Sequence, residues 1–446
     1  MQRNRKMKTK LMIALLFVGS IANAQKINEF SVKQAVDYAN QNSVQVKNAL
    51  IDILIQQQTN RDVTSVALPQ INGNASVTNY LDIPTTLLPG EIIGQPAGTF
   101  VPVKFGTKWN SSAAVSLNQI LFDGQVFIAL KARQGVIDLS KKQLEITQEN
   151  IKANIYKVYY QLVAAKTQIG LLDANIARLL KLQHDVGVMY DNGFSEKLDI
   201  DKLTVQVANL QTEKFKTNNM ISNGYAGLKL LMGMPIKDSL VLTDTLSDDE
   251  IKEGVLETSQ ANYKDRKDFQ ALEISNKLNE LNVKRYKLSQ IPTLMFNANY
   301  SKQAQRNKFD FFGNGQWFTT SYIGLQLKIP IFNGFSTKAK IENAKLALQK
   351  TQNQQEALKI SIDNDIQNAQ NNFATAIATM DFQKKNMVLA EKVYDQTKKK
   401  YEIGTGSTTD INTAQTDLKA AQTNYIGALY DAIIAKIDFL KATGKL

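Results

Sequence analysis

The sequence predicts a mainly helical, internally duplicated fold. Long coiled-coil helices alternate with two membrane β-hairpins, giving four strands per chain that contribute to a barrel shared between chains. Three observations predict it. Between Phe127 and Val188, apolar residues fall on every seventh position, at Ile137, Leu144, Ile151, Val158, Ala165, Leu172, Leu179 and Val186, with a second row at Ile155, Leu162, Ile169 and Ile176. A 3.5-residue repeat keeps its seam on a partner only if helices supercoil, so this is a coiled-coil rod of roughly 90 Å at about 1.5 Å per residue. Around 71–121 and 294–331 the period changes from helical to two-residue alternation. The whole order of elements then occurs twice.

The chain has 446 residues, 43% hydrophobic and 21% charged, enough apolar content for a large core and too much for disorder. Residues 1–24 read as a signal peptide: basic MQRNRKMKTK, apolar LMIALLFVGSIA, and small Ala22 and Ala24 before Gln25. The net charge of +12 falls to +7 once Arg3, Arg5, Lys6, Lys8 and Lys10 leave with the leader, a modest excess that argues against nucleic acid as a partner. Without cysteine there is no disulfide framework, thiolate metal site or lipid-bearing N-terminal cysteine. No later stretch has the roughly 18 apolar residues of a membrane helix. An export signal with a long helical rod favours the envelope of a double-membraned bacterium.

An N-terminal helical segment occupies 25–68 and ends at Pro69. The first membrane β-hairpin, 69–124, opens with Ile71, Gly73, Ala75 and Val77 alternating with Asn72, Asn74, Ser76 and Thr78. A Pro- and Gly-rich stretch from Ile83 to Gly106 reads as a long loop, and alternation resumes at Trp109. The first long helical hairpin, 125–233, turns at Asp191-Asn192-Gly193. An equatorial linker, 234–262, reads as irregular and acidic. The second copy comprises a helical segment at 263–291, a membrane β-hairpin at 292–334 and a long helical hairpin at 335–446, with Ile366, Phe373, Met380, Met387 and Tyr394 at sevenfold spacing.

The copies keep register. Phe332-Asn333-Gly334 follows Phe122-Asp123-Gly124 by 210 residues, and Tyr401 and Gly404 follow Tyr190 and Gly193 by 211. The strand-opening prolines Pro69 and Pro292 lie 223 apart, so the 13 extra residues of the first copy fall inside its β-hairpin. Varying length belongs in such a loop.

Four two-faced strands cannot stand alone in lipid, because each open edge would leave backbone groups unpaired at several kcal/mol apiece. Two copies would close eight strands and three would close twelve; the residues alone do not choose. Tyr80, Trp109, Tyr300, Trp317 and Tyr322 are the candidate aromatics of the membrane interface, read as lying near strand ends. The same assembly would set the helices side by side as a hollow tube.

YEIGTGSTTDINTA, from Tyr401 to Ala414, resembles the periplasmic tip turn of TolC-type outer membrane efflux proteins, whose pattern is Tyr, two residues, Gly-Thr, then Asp-Val-Leu and Ala. The duplicated halves, the proline before each strand pair and the Phe-Asn/Asp-Gly turns are similar to that family too. The resemblance implies a homotrimer in outer-membrane lipid, with a twelve-stranded barrel and a twelve-helix periplasmic tunnel. It implies partners as well: a periplasmic membrane fusion adaptor and an inner-membrane pump of RND or ABC type. The expected role is an exit duct for tripartite efflux or type I secretion; the alternative is a periplasmic adaptor-like or structural coiled-coil binding protein.

Carried over by position, Tyr190, Gly193, Tyr401, Gly404 and Thr405 are the tip-turn residues for adaptor contact and gating. Asp410 falls on the family's entrance acid and Asp199 on its counterpart in the first copy. Two positions depart: a second family acid is Thr413 here, and a basic latch residue is Gly406. Asp417, seven residues after Asp410, is a candidate replacement for the missing acid.

No catalytic chemistry, cofactor or metal site is expected. The only histidine, His184, has no cysteine or second histidine beside it. GTGSTT follows a helix and lacks the lysine of a phosphate loop. Asp248 and Asp249 read as solvated linker acids, and Met380 and Met387 as core packing.

Overall fold

The computed structural model describes residues 27–252 and 262–446, so the leader read over 1–24 and part of the 234–262 linker lie outside the described residues. The chain divides into two compact units. Of the described residues, one unit comprises 27–52, 141–252, 262–271 and 355–446; the other comprises 53–140 and 272–354.

The second unit is built on strands. β2 (Gln70–Asn79), β5 (Trp109–Phe122), β7 (Thr293–Arg306) and β8 (Phe318–Lys328) form one antiparallel sheet in the order β2-β5-β7-β8. Because side chains alternate, register sorts them into two faces. Ile71, Leu117, Ala298 and Ile323 stand in one row across all four strands; the adjacent row on the other face is Asn72, Ser116, Asn299 and Tyr322. The apolar face is solvent-exposed in the single chain, with Ile323 78% accessible.

The segment read as a long loop is partly ordered as strands. β3 (Thr85–Pro89) and β4 (Phe100–Lys104) pair as a separate antiparallel ladder. Two prolines obscured it; in a two-stranded ladder either strand can turn its donor-free positions outward. The interface aromatics also need correction. Trp109 opens β5, Tyr80 directly follows β2 and Trp317 directly precedes β8, all at one end of the sheet. Tyr300 and Tyr322 are mid-strand instead, and Tyr322 shares the polar face with Asn299. β7 continues through Gln303, Ala304, Gln305 and Arg306, which lengthens the strand past Tyr300.

The helical unit starts from a reciprocal cap. The Gln34 amide donates to Ser31 Oγ and the Ser31 amide donates to Gln34 Oε1, opening α1 (Val32–Asn42). Ser43 separates α1 from α2 (Val44–Ser65). The long helices are α3 (Gly124–Asp191) and α7 (Ser336–Glu402), with return helices α4 (Lys197–Met232) and α8 (Thr408–Ala442). In the α3 seam, Ile151, Ile155, Leu162, Leu172, Leu179 and Val186 are almost free of solvent, as the heptad reading requires. In α7, Phe373, Met380 and Tyr394 are buried.

The linker contains order that the sequence reading missed. β6 (Ser239–Leu242) pairs in parallel with β1 (Ile27–Phe30), and α5 (Asp248–Lys252) follows. Tyr159 of α3 fastens this corner: its hydroxyl donates to the Phe30 carbonyl at 2.8 Å and accepts from the Asp244 amide at 3.2 Å. α6 (Lys267–Leu288) then leads to β7. Among the described residues no helix is long and apolar enough to cross a membrane.

Candidate functional site at the helix tips

The two hairpin turns are one backbone motif used twice. At the end of α3, the Gly193 amide donates to the Tyr190 carbonyl at 2.9 Å and the Phe194 amide to the Met189 carbonyl at 2.8 Å. At the end of α7, Gly404 donates to Tyr401 at 3.0 Å and Thr405 to Lys400 at 2.9 Å. Gly193 and Gly404 lie at φ +80° and +76°, left-handed values that a side chain disfavours. The pairs of bonds satisfy carbonyls that a helix end would otherwise leave orphaned.

Asp199 and Asp410 occupy the same place, the third residue of each return helix, where a carboxylate meets the positive end of the helix dipole. Their partners differ. Asp410 closes a capping box: its amide donates to Ser407 Oγ at 3.1 Å, while the Ser407 hydroxyl and amide donate back to Oδ2 at 2.8 and 3.2 Å. Those bonds hold the Asp410 carboxyl below the usual carboxylate range. Asp199 takes weaker contacts, from Ser195 at 3.4 Å and Lys202 at 3.5 Å. Asp410 and Asp417 are exposed on α8 and Asp199 is half-buried.

The tyrosines are not equivalent. Tyr401 is buried, its hydroxyl 3.4 Å from Met189 Sδ, whereas Tyr190 is exposed. Burial raises the Tyr401 phenol. Around the turns Phe194, Ile403, Leu198 and Tyr190 expose apolar surface, with Phe194 84% accessible. Thr405 is exposed and its hydroxyl donates to the Lys400 carbonyl at 3.1 Å. At Gly406 a Cβ would stand 3.0 Å from the Tyr401 nitrogen, so a larger residue there needs a small backbone adjustment.

Behind the tips, four helices share one core that includes Leu179, Leu203, Tyr394 and Ile411. Within this bundle, sequence reasoning missed a polar cluster. Asn175 of α3 is 1% exposed; it donates to Gln422 Oε1 at 2.9 Å and accepts from Gln415 Nε2 at 2.6 Å, both on α8. One turn-pair earlier, Gln168 donates to Thr423 at 3.0 Å. The signal was available as a second heptad row, Gln168, Asn175 and Leu182, beside Gln415 and Gln422 seven residues apart. A helix carrying two seams packs against neighbours on both sides, as a closed ring of helices requires.

Asp248 corrects the sequence reading in another way. It is no solvated linker acid: Lys384 Nζ donates to it at 2.6 Å and the Tyr425 hydroxyl at 2.7 Å, tying α5 to α7 and α8. Burial by itself would raise its carboxyl, but the Lys384 and Tyr425 hydrogen bonds prevail and hold it low. His184 is solvent-exposed on α3.

A twice-repeated helical hairpin with matching tip turns, in a chain that also supplies a four-stranded sheet with one apolar face, is a fold shared with solved outer-membrane channels. Residues 259–445 match the family described as outer membrane efflux protein. Outer membrane protein TolC of Vibrio cholerae is 21% identical over 340 residues, covering 75% of this chain and 77% of the relative. Outer membrane efflux protein BepC of Brucella suis is 20% identical over 441 residues, covering 97% and 89%. The crystal structure of outer membrane protein VceC from Vibrio cholerae superposes with a TM-score of 0.71 at 15% identity, over 93% of this chain and 96% of that one, a likeness of fold.

Proposed function

We propose that this chain is an outer-membrane exit duct: a passive channel in which three copies close one barrel and one helical tunnel. The observation that carries this reading is the sheet, with a lipid-suited face, a hydrophilic face and two edges, β2 and β8, that hydrocarbon cannot tolerate unpaired. Four strands per chain make twelve in a trimer. The polar rows of Asn, Ser and Gln then line a water-filled lumen.

In this reading the tip turns form the periplasmic mouth, where an adaptor and an inner-membrane pump engage Tyr190, Gly193, Tyr401, Gly404 and Thr405. Exposed Phe194 and Ile403 supply apolar surface for that contact. Asp410, with Asp417 and Asp199, concentrates negative potential at the entrance and favours cations. Energy for transport comes from the partner pump.

The mass of the detergent-extracted, unheated complex from isolated outer membranes tests the barrel. A mass of three chains is expected, followed by discrete conductance steps in a planar bilayer. Recovery as a monomer, or from the soluble periplasm, overturns the reading.

A further inference from the structure

The β3–β4 ladder lies in the segment between β2 and β5, which is where the 13 extra residues of the first copy fall. Its turn is locked. Gly90 donates to the Thr99 carbonyl at 2.7 Å, the Gln95 amide donates to the Gly90 carbonyl at 2.9 Å, and the Thr99 hydroxyl donates to the Pro96 carbonyl at 2.7 Å. A Cβ on Gly90 would stand 2.0 Å from Thr99 Oγ1, so a side chain there requires Thr99 to shift. Register places Leu87 opposite Pro102 and Pro89 opposite Phe100, all on one face. That face is apolar and open: Leu87 and Phe100 are each 61% exposed. A lone two-stranded ladder is marginal in water, and this one leaves its apolar side uncovered.

Its position identifies what covers it. Asn79 pairs with Trp109, Trp109 with Arg306 and Gln303 with Phe318, so the end of β2 and the start of β8 lie at the same end of the sheet. Only residues 80–84 separate β2 from β3, which tethers the ladder to the β2 edge. β2 and β8 are the two edges of the sheet. When a second copy closes the barrel, its β8 runs antiparallel beside β2 and brings its own Phe318 to the base of the ladder. The β7–β8 turn that leads into β8 of that copy presents Phe312, 94% exposed and packed against Phe309. That turn is itself anchored: Phe309 packs edge-on to Trp109 at 5.1 Å, and Arg306 pairs with Asp310 at 3.1 Å.

We propose that the Leu87–Phe100 face of the β3–β4 ladder is an intermolecular clasp that seats Phe312 and Phe318 of the neighbouring copy, at the end of the barrel remote from the helices. The inference rests on the shared-barrel reading, because only that closure brings β8 of one copy to β2 of another. Each junction of the assembly then carries one clasp, from the first repeat of one chain to the second repeat of the next. The second repeat has no such insert, so the clasp has a direction.

The chain has no cysteine, which makes site-directed cross-linking clean. The full-length double variants Leu87→Cys with Phe312→Cys, and Phe100→Cys with Phe318→Cys, are oxidised in outer membranes and run on non-reducing gels. The expected result is conversion of the monomer band to bands of two and three chains, reversed by reductant and absent from each single variant. Trimers of normal mass without cross-linking in either pair, or with a bond confined within one chain, overturn the clasp and leave the barrel standing. Unheated extracts that contain only monomer overturn the barrel and the clasp together. Replacing 85–104 by a short Gly-Ser turn is a second measurement. Trimers lacking the ladder are expected to dissociate at a lower temperature in detergent, and an unchanged dissociation temperature counts against the clasp.

Discussion

Asn175→Ala is the sharpest test of the helical bundle. Asn175 is buried and holds Gln422 at 2.9 Å and Gln415 at 2.6 Å. Both glutamines are themselves buried, at 6% and 3% exposure. Truncation to alanine therefore strands one acceptor on Gln422 and one donor on Gln415 in a packed interior. Each orphaned group costs about 1–3 kcal/mol, so local opening becomes easier by about 2–6 kcal/mol. At about 1.4 kcal/mol per factor of ten, the lower figure accelerates amide exchange about 30-fold in the flanking turns of α3 and α8. Hydrogen exchange by mass spectrometry on the purified protein reads this directly. A control separates polar loss from lost packing: Asn175→Leu with Gln415→Leu and Gln422→Leu removes all three buried amides at once and is expected to exchange at or below the wild-type rate, because no buried amide is left unpaired and the long Arg178 contact to Asn175, at 3.4 Å, is replaced by water. Exchange within about threefold of wild type in Asn175→Ala would refute the claim that the cluster is held by its hydrogen bonds.

Other predictions follow from single positions. Gly404→Ala forces a side chain into a left-handed φ with no contact to relieve it, and is expected to destabilise the second tip by about 1 kcal/mol. Gly170→Ala, in the interior of α3 with open space around its Cβ, is expected to stabilise by a similar amount; thermal unfolding monitored at the helix band compares the two. Tyr425→Phe removes one of two bonds to Asp248 and is expected to cost about 1.5–3 kcal/mol in the same melts. Asp410→Asn keeps an acceptor for Ser407 but removes the charge, so cation preference in bilayer recordings is expected to fall; unchanged selectivity removes Asp410 from the pore. Because the folded Asp410 carboxyl is depressed, its contribution to the cap is complete above the unfolded carboxyl value near 3.9 and is lost as pH falls through the lower folded value. Exchange in the first turn of α8 between pH 6 and 3 follows that loss, which Asp410→Asn is expected to abolish.

The legible parts of this chain were those whose signal is periodic or local. Ile151 to Val186 could be placed on a buried seam because a helix returns to the same face every seven residues. The rows through Ile71 and Asn72 could be placed on opposite faces because a strand alternates every second residue. Gly193 and Gly404 were legible because a helix-ending turn needs a residue that tolerates positive φ. The two Phe-Asp/Asn-Gly turns fixed the duplication by their common offset.

What the sequence alone determined, then, was the duplicated order of helices and strands, the buried seams and the two-faced sheet, since each depends on backbone geometry repeated along a short stretch. The tertiary structure decided whatever depends on residues far apart in the chain. β1 meets β6 across more than 200 residues through only four pairs, too short a strand to carry a period of its own. Asp248 found Lys384 and Tyr425 only when three helices converged, and Asn175 found Gln415 and Gln422 only when α8 was set against the second seam of α3. The β3–β4 ladder emerged from a stretch whose prolines and glycines argue for a loop, because Gly90 and Thr99 close it from opposite sides. A polar side chain carries no local mark of its distant partner; its hydrogen bond exists only after the fold has brought the partner within 3 Å.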